Sequence, residues 1–174
     1  MQAIVMILRH LLAIIVLPFM VTVGIPRWLV RRYGIGTQWL PGSALSMLGH
    51  VAGALVLIAG LTFFGWSLFL FASRGKGTLA PWDPPKKLVV TGPYRYVRNP
   101  MISGVLMIVA GEALFLGSST IGWWLLTFLV INQIYFMIFE EPQLERRFGE
   151  DYRRYKAAVP RWIPRFTPFQ GFSK

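Results

Sequence analysis

Apolar residues gather in four long runs, broken by short polar stretches. The first extends from about Ala3 to Ile25, the second from Ala44 to Ala72, the third from Met101 to Leu116, and the fourth from Ile121 to Phe139. A helix that crosses a bilayer needs roughly 20 mainly apolar residues, about 30 Å at 1.5 Å each. The first run contains Arg9 and His10 and is followed by Pro26-Arg27-Trp28 rather than by a small-residue cleavage site. It therefore reads as a span and not as a signal peptide. The second is long enough to tilt or to project from the bilayer. Only Gly117-Ser118-Ser119-Thr120 separates the third from the fourth, which predicts a tight antiparallel hairpin. The pattern predicts an all-α, polytopic membrane bundle of about four helices. With no internal repeat or low-complexity linker, residues 1–174 form a single domain. Gly49 and Gly53 are a small-xxx-small pair on the second span. Trp39, Trp66, Trp82, Trp123 and Trp124 lie near span ends, where interfacial anchors belong.

Composition agrees and adds an asymmetry of charge. Of 174 residues 55% are hydrophobic and only 14% charged, yet the formal net charge is +11. Soluble domains carry about a quarter charged residues. Basicity alone would raise nucleic acid as a partner, but beside such apolar runs it points to anionic lipid instead. The absence of cysteine excludes a disulfide scaffold, a thiolate metal site and a cysteine nucleophile. Fourteen of the 18 positive residues follow residue 73, in two segments separated by two spans. Both segments therefore face one side, the cytoplasmic one by the positive-inside rule. Arg27, Arg31 and Arg32 fall on the other side, against that rule.

Chemistry concentrates at two places on the basic face. Before the third span the chain reads K-L-V-V-T-G-P-Y-R-Y-V-R-N-P. Pro81, Pro84 and Pro85 preclude a regular helix upstream, and Asn99-Pro100 is a helix start signal. Tyr94 and Tyr96 offer ring faces, Arg95 and Arg98 fixed charge, and Asn99 hydrogen bonds. Such a set suits a ligand that carries a carboxylate and an aromatic base, although composition alone favours a layer of lipid headgroups.

After the fourth span comes Glu140-Glu141-Pro142. Adjacent helical side chains point about 100° apart, so the two carboxylates cannot form one facing pair. Pro142 in a continuing helix deprives the Ile138 carbonyl of its partner and bends the chain. Beyond it Leu144, Phe148, Tyr152, Tyr155 and Val159 share a stripe about 80° wide, with arginines elsewhere and Gly149 a potential break. This is an amphipathic helix that covers a pocket or dips into headgroups. Within the spans, Glu112 and His50 read as structural. Asn132 and Gln133 fall opposite Gly104 and Val105, about two turns below the cytoplasmic mouth, where a lipid-like substrate enters. No residue spacing indicates a metal site, and no nucleophile–base pair is recognisable.

Together, K-L-V-V-T-G-P-Y-R-Y-V-R-N-P-M-I-S-G, a hydrophobic hairpin and E-E-P-Q-L-E-R-R-F-G-E-D-Y-R-R-Y-K-A-A-V-P-R-W-I-P resemble the membrane methyltransferases that include isoprenylcysteine carboxyl methyltransferase and phosphatidylethanolamine N-methyltransferase. The resemblance covers residues 86–164. It implies S-adenosyl-L-methionine bound on the cytoplasmic side, lined by Lys86, Lys87, Leu88, Val89, Tyr94, Arg98, Asn99, Pro100 and Glu140, with Glu141 beside it. It implies a lipid or lipidated small molecule as acceptor, and no nucleic acid. The carboxyl methyltransferases have His at Asn99, Tyr at Ile102, and a carboxylate-binding Arg at Phe136. N-P-M and E-E-P look more like the phospholipid N-methyltransferases, whereas the F-G-E-D-Y tail looks like the carboxyl side. The acceptor stays open between a prenyl-thioether carboxylate, with Arg98 as its cation, and a lipid amine, with Glu140 or Glu141 as base. Ile102, Asn132, Gln133 and Phe136 are the substrate-side positions. Two alternatives remain: a membrane reductase of related architecture that uses NADPH, and a non-catalytic protein that keeps the fold.

Overall fold

The computed structural model describes residues 16–36, 39, 42–74 and 88–171. Among them there are helices and no strand. The chain is helical from residue 16, widens into a π-turn at Met20–Gly24, and continues as α1, Ile25–Tyr33. Helix α2 is Ala44–Arg74, α3 is Pro100–Leu116 and α4 is Ser119–Tyr135. A second π-turn, Phe136–Glu140, joins α4 without a break to α5, Glu141–Ala158. Only Ala44–Phe71 and the continuous run Ser119–Ala158 are, among the described residues, long and apolar enough to cross a membrane; α3, at 17 residues, is shorter. The expected first span lies largely outside the described residues, as do Lys86, Lys87, Trp82 and the prolines at 81, 84 and 85. The helix that ends it runs to Tyr33, past the expected end at Ile25.

Helices α2 and α3 pack backbone to backbone. A Cβ at Gly60 would stand 2.8 Å from the Ile108 nitrogen, one at Gly104 2.8 Å from that of Phe64, and one at Gly111 2.6 Å from that of Leu57. Gly53 meets the Phe115 backbone in the same seam, whereas Gly49 lies against the Trp39 ring. Small residues are what permit such approach where lipid supplies no hydrophobic drive between helices. Leu45, Met47, Leu48, Val51, Leu55 and Ile58 stay exposed on the outer face of α2. An apolar surface this continuous calls for lipid around it.

The α3–α4 hairpin turns tightly. Gly117 takes a left-handed conformation (φ 62°) at the end of α3, and Ser118 caps α4, its hydroxyl accepting from the Ile121 N–H at 3.2 Å. This turn is tied to the segment that follows α1. Ser118 Oγ donates to the Ile35 carbonyl at 2.7 Å, Thr120 Oγ1 to that of Gly34 at 2.9 Å, and Trp39 Nε1 to that of Leu114 at 2.7 Å. The end of α1, the start of α2 and the hairpin turn therefore share one end of the bundle. Residues 88–99 and α5 occupy the opposite end. There the tail after α5 runs back along the segment before α3. Arg98 N–H donates to Pro160 O, Arg165 N–H to Tyr96 O and Phe169 N–H to Arg95 O, at 2.9, 3.0 and 2.9 Å. Tyr152, Tyr155 and Val159 are buried beneath it with Leu88, Val90, Leu144, Phe148 and Phe169. The aromatic stripe of α5 thus faces protein.

Candidate functional site

The π-turn is the local event that builds the site. Pro142 has no N–H to give the Ile138 carbonyl, so an ordinary α-helical register cannot run through this point. The turn widens instead, and the Glu141 N–H reaches the Phe136 carbonyl. Such single-turn π-bulges are frequent at functional sites. The two neighbouring carboxylates leave the turn in different directions and meet different surroundings.

Glu141 is buried in a cluster of cations. Its Oε1 accepts from Arg98 Nη1 at 2.8 Å and Arg161 Nε at 2.9 Å, and Lys156 Nζ lies 3.0 Å from Oε2. Burial pushes this carboxyl up, but hydrogen bonds from Lys156 and Arg161 and the charge of Arg98 outweigh it and hold the group below the usual carboxylate range. The cluster joins three chain segments: the loop before α3, α5 and the tail.

Glu140 instead lines a cavity of about 410 Å³. No hydrogen bond or ion pair reaches its carboxylate among the described residues. Burial, then the neighbouring Glu141 charge, push it up from 4.5 to about 7, with Arg161 opposing. The cavity is also lined by Leu88, Val89, Tyr94, Arg98, Asn99 and Pro100. Asn99 is the N-cap of α3 and Pro100 its first residue, yet the Asn99 side chain makes no cap hydrogen bond. Two buried donors in this wall have no partner, Tyr94 Oη and Arg98 Nε. Burial pushes the Tyr94 hydroxyl up, with Tyr155 and Glu140 adding to it, so it is a neutral donor. An unpaired buried donor costs about 1–3 kcal/mol, and both atoms lie closed off from solvent within the wall.

The structure thus brings together on one cavity most of the residues singled out from the sequence. Ile102, Asn132 and Phe136 lie on it as well. Gln133 does not line it; its Oε1 accepts from Trp162 Nε1 at 2.8 Å, and Trp162 packs on Phe136 with ring centroids 5.5 Å apart. Glu141 is likewise off the cavity, behind Arg98. Arg95 turns away to the tail, its Nε donating to Phe169 O at 2.6 Å. Other lining residues escaped the sequence reading: Tyr135, Gln143 and Arg147, and Leu17, Pro18 and Val21 from the N-terminal helix. Apolar or isolated, these side chains carry no signal in sequence. Arg161 was visible as one of the tail's positive residues and within the P-R-W-I-P string, not as a partner of Glu141.

A lone carboxylate beside Arg98 and Asn99, in a cavity whose other walls are largely apolar, is the geometry. An uncharacterized protein of Haemophilus influenzae is 35% identical over 63 residues, 36% of this chain and 100% of that protein. No solved structure matches the chain. The family model described as phospholipid methyltransferase matches residues 44–151, which run from the start of α2 into α5 and hold the Glu140–Glu141 turn. That match takes in more than half of the chain, which therefore belongs to the phospholipid methyltransferase family, whose members methylate membrane lipids.

Proposed function

We propose that the chain is a single-domain, four-span membrane enzyme that transfers a methyl group from S-adenosylmethionine to a lipid-like acceptor, with the cofactor site on the cytoplasmic face. The observation that carries this reading is the cavity wall itself, where Glu140, whose carboxylate meets no hydrogen bond or ion pair among the described residues, shares the lining with Tyr94, Arg98, Asn99 and Pro100. Leu88, Val89, Tyr94, Arg98, Asn99, Pro100 and Glu140 would hold the cofactor, and Lys86 and Lys87 join them by resemblance. When bound, S-adenosylmethionine supplies an activated methyl on a sulfonium cation. The donor set fits it: a carboxylate for positive charge, a guanidinium and amide for a carboxylate, and Tyr94 for a ring or hydroxyl.

The remaining chemistry is positioning. Methyl displacement needs the nucleophile aligned and water excluded. Tyr152 and Tyr155, buried across the cavity, exclude water, and the Glu141 cluster holds Arg98 in place. An amine acceptor must first lose a proton, and Glu140, poised near neutrality, is suited to take it. A carboxylate acceptor would need a further cation, because Arg98 is already shared between Glu141 and the cofactor's carboxylate. The amine is thus the favoured acceptor, with Ile102, Asn132 and Phe136 on its side of the cavity.

Calorimetric titration of the detergent-purified chain with S-adenosylmethionine and with NADPH tests the reading. Binding of the former is expected, with Glu140→Ala weakening it at least about tenfold, the loss of one charge-assisted contact. Binding of NADPH alone would sink the proposal. A labelled-methyl assay on total membrane lipids then identifies the acceptor.

A further inference from the structure

The family match begins at residue 44, yet one wall of the cavity comes from residues before it. Leu17 and Val21 stand one helical turn apart on the same face and both line the cavity, with Pro18 between them. Phe64 of α2, Val105 of α3 and Phe128 of α4 line the same cavity. None of these side chains is polar, whereas Arg98, Asn99 and Glu140 occupy the other end of the same space.

The N-terminal wall is held in place by a specific device. In the Met20–Gly24 π-turn the Ile25 N–H bonds the Met20 carbonyl. The next carbonyl in that register, Val21 O, would need the N–H of residue 26, which is proline and has none. Trp124 Nε1 from α4 donates to it instead, at 2.9 Å. The missing donor at Pro26 is thus answered by a tryptophan from another helix, which pins the turn that carries Val21 against α4.

We infer that this N-terminal segment is a specificity element: Leu17 and Val21, pinned through Trp124, set how long a hydrocarbon chain the acceptor can carry while its reacting head lies at the Glu140 end. The occupant is the acceptor's own chain, because the apolar walls are continuous with the polar site. This rests on the methyl-transfer reading for the identity of the head group.

The test uses the full chain in nanodiscs, titrated with n-alkylamines from octyl to octadecyl, with and without S-adenosylmethionine. Affinity is expected to rise with each methylene until the chain fills the space, then level off. Val21→Phe should bring the plateau forward by about two methylenes, and Val21→Ala should postpone it. Trp124→Phe, which keeps the ring but loses the N–H, should weaken the longest amines at least about threefold while the shortest bind as before. A plateau unmoved in all three variants, or no saturable binding at any length, overturns the inference. Failure of S-adenosylmethionine to bind the same preparations overturns the methyl-transfer reading instead, since the chain-length profile is also read without it.

Discussion

Glu140 and Glu141 are neighbours in sequence and opposites in chemistry. Glu141 is charge-saturated by Arg98, Arg161 and Lys156. Glu140 meets a cavity and keeps its proton to about pH 7. Since the unfolded chain would release that proton near 4.5, the group contributes stability that is lost as pH rises through 7. Ligand binding runs the other way. A cationic ligand needs the ionised carboxylate, so its affinity should rise about tenfold between roughly pH 6 and pH 8. Glu140→Gln should flatten that rise in calorimetric titrations. A slope equal to that of the unmodified chain would place the titrating group elsewhere. The sequence shows that two adjacent carboxylates must diverge; which of them would meet the cations depended on Arg161, twenty residues on.

Helix α5 is the element that closes the site, and it does so with a bend. Gly149 has φ 57° and ψ −129°, a conformation that side chains with a Cβ rarely adopt. Nothing lies within 4 Å of where a Cβ would stand, so the penalty for a substitution is backbone strain alone. Gly149→Ala should therefore destabilise the protein by about 1–3 kcal/mol, read as a lowered denaturation midpoint in detergent. The bend lets Leu144 on one side and Tyr152 and Tyr155 on the other reach the same cavity. The stripe from Leu144 to Val159 was legible from spacing, and Gly149 was legible as a break. That the stripe would face protein rather than headgroups was not, because its partners Leu88, Val90 and Phe169 come from distant segments.

At the scale of the whole molecule the fastened hairpin turn decides topology. Ser118 and Thr120 hold the Gly34–Ile35 backbone, so Tyr33 and the turn share an end, and Arg153 belongs to the other. The chain has no cysteine, which makes a clean test available. Tyr33→Cys and Arg153→Cys, both at exposed positions, should react with a membrane-impermeant maleimide from opposite faces of sealed vesicles, Arg153→Cys from the cytoplasmic one. Labelling of both from one face would refute a four-span arrangement.

Hydrophobic periodicity, charge placement and two proline-bearing motifs were enough, without coordinates, to locate α2, α3 and α4 and the hairpin between the last two, while the family resemblance singled out part of the cavity wall. These are local or additive properties: span length follows from residue hydropathy, and a helix start from Asn99-Pro100. Tertiary structure decided the rest. The Gly60, Gly104 and Gly111 seam needs two helices in register, the Glu141 cluster needs the tail folded back on the loop, and the Val21–Trp124 pin joins residues 103 apart. Each depends on groups far apart in the chain whose meeting no local pattern encodes, because a backbone carbonyl freed by a proline can be answered from anywhere the fold brings a donor.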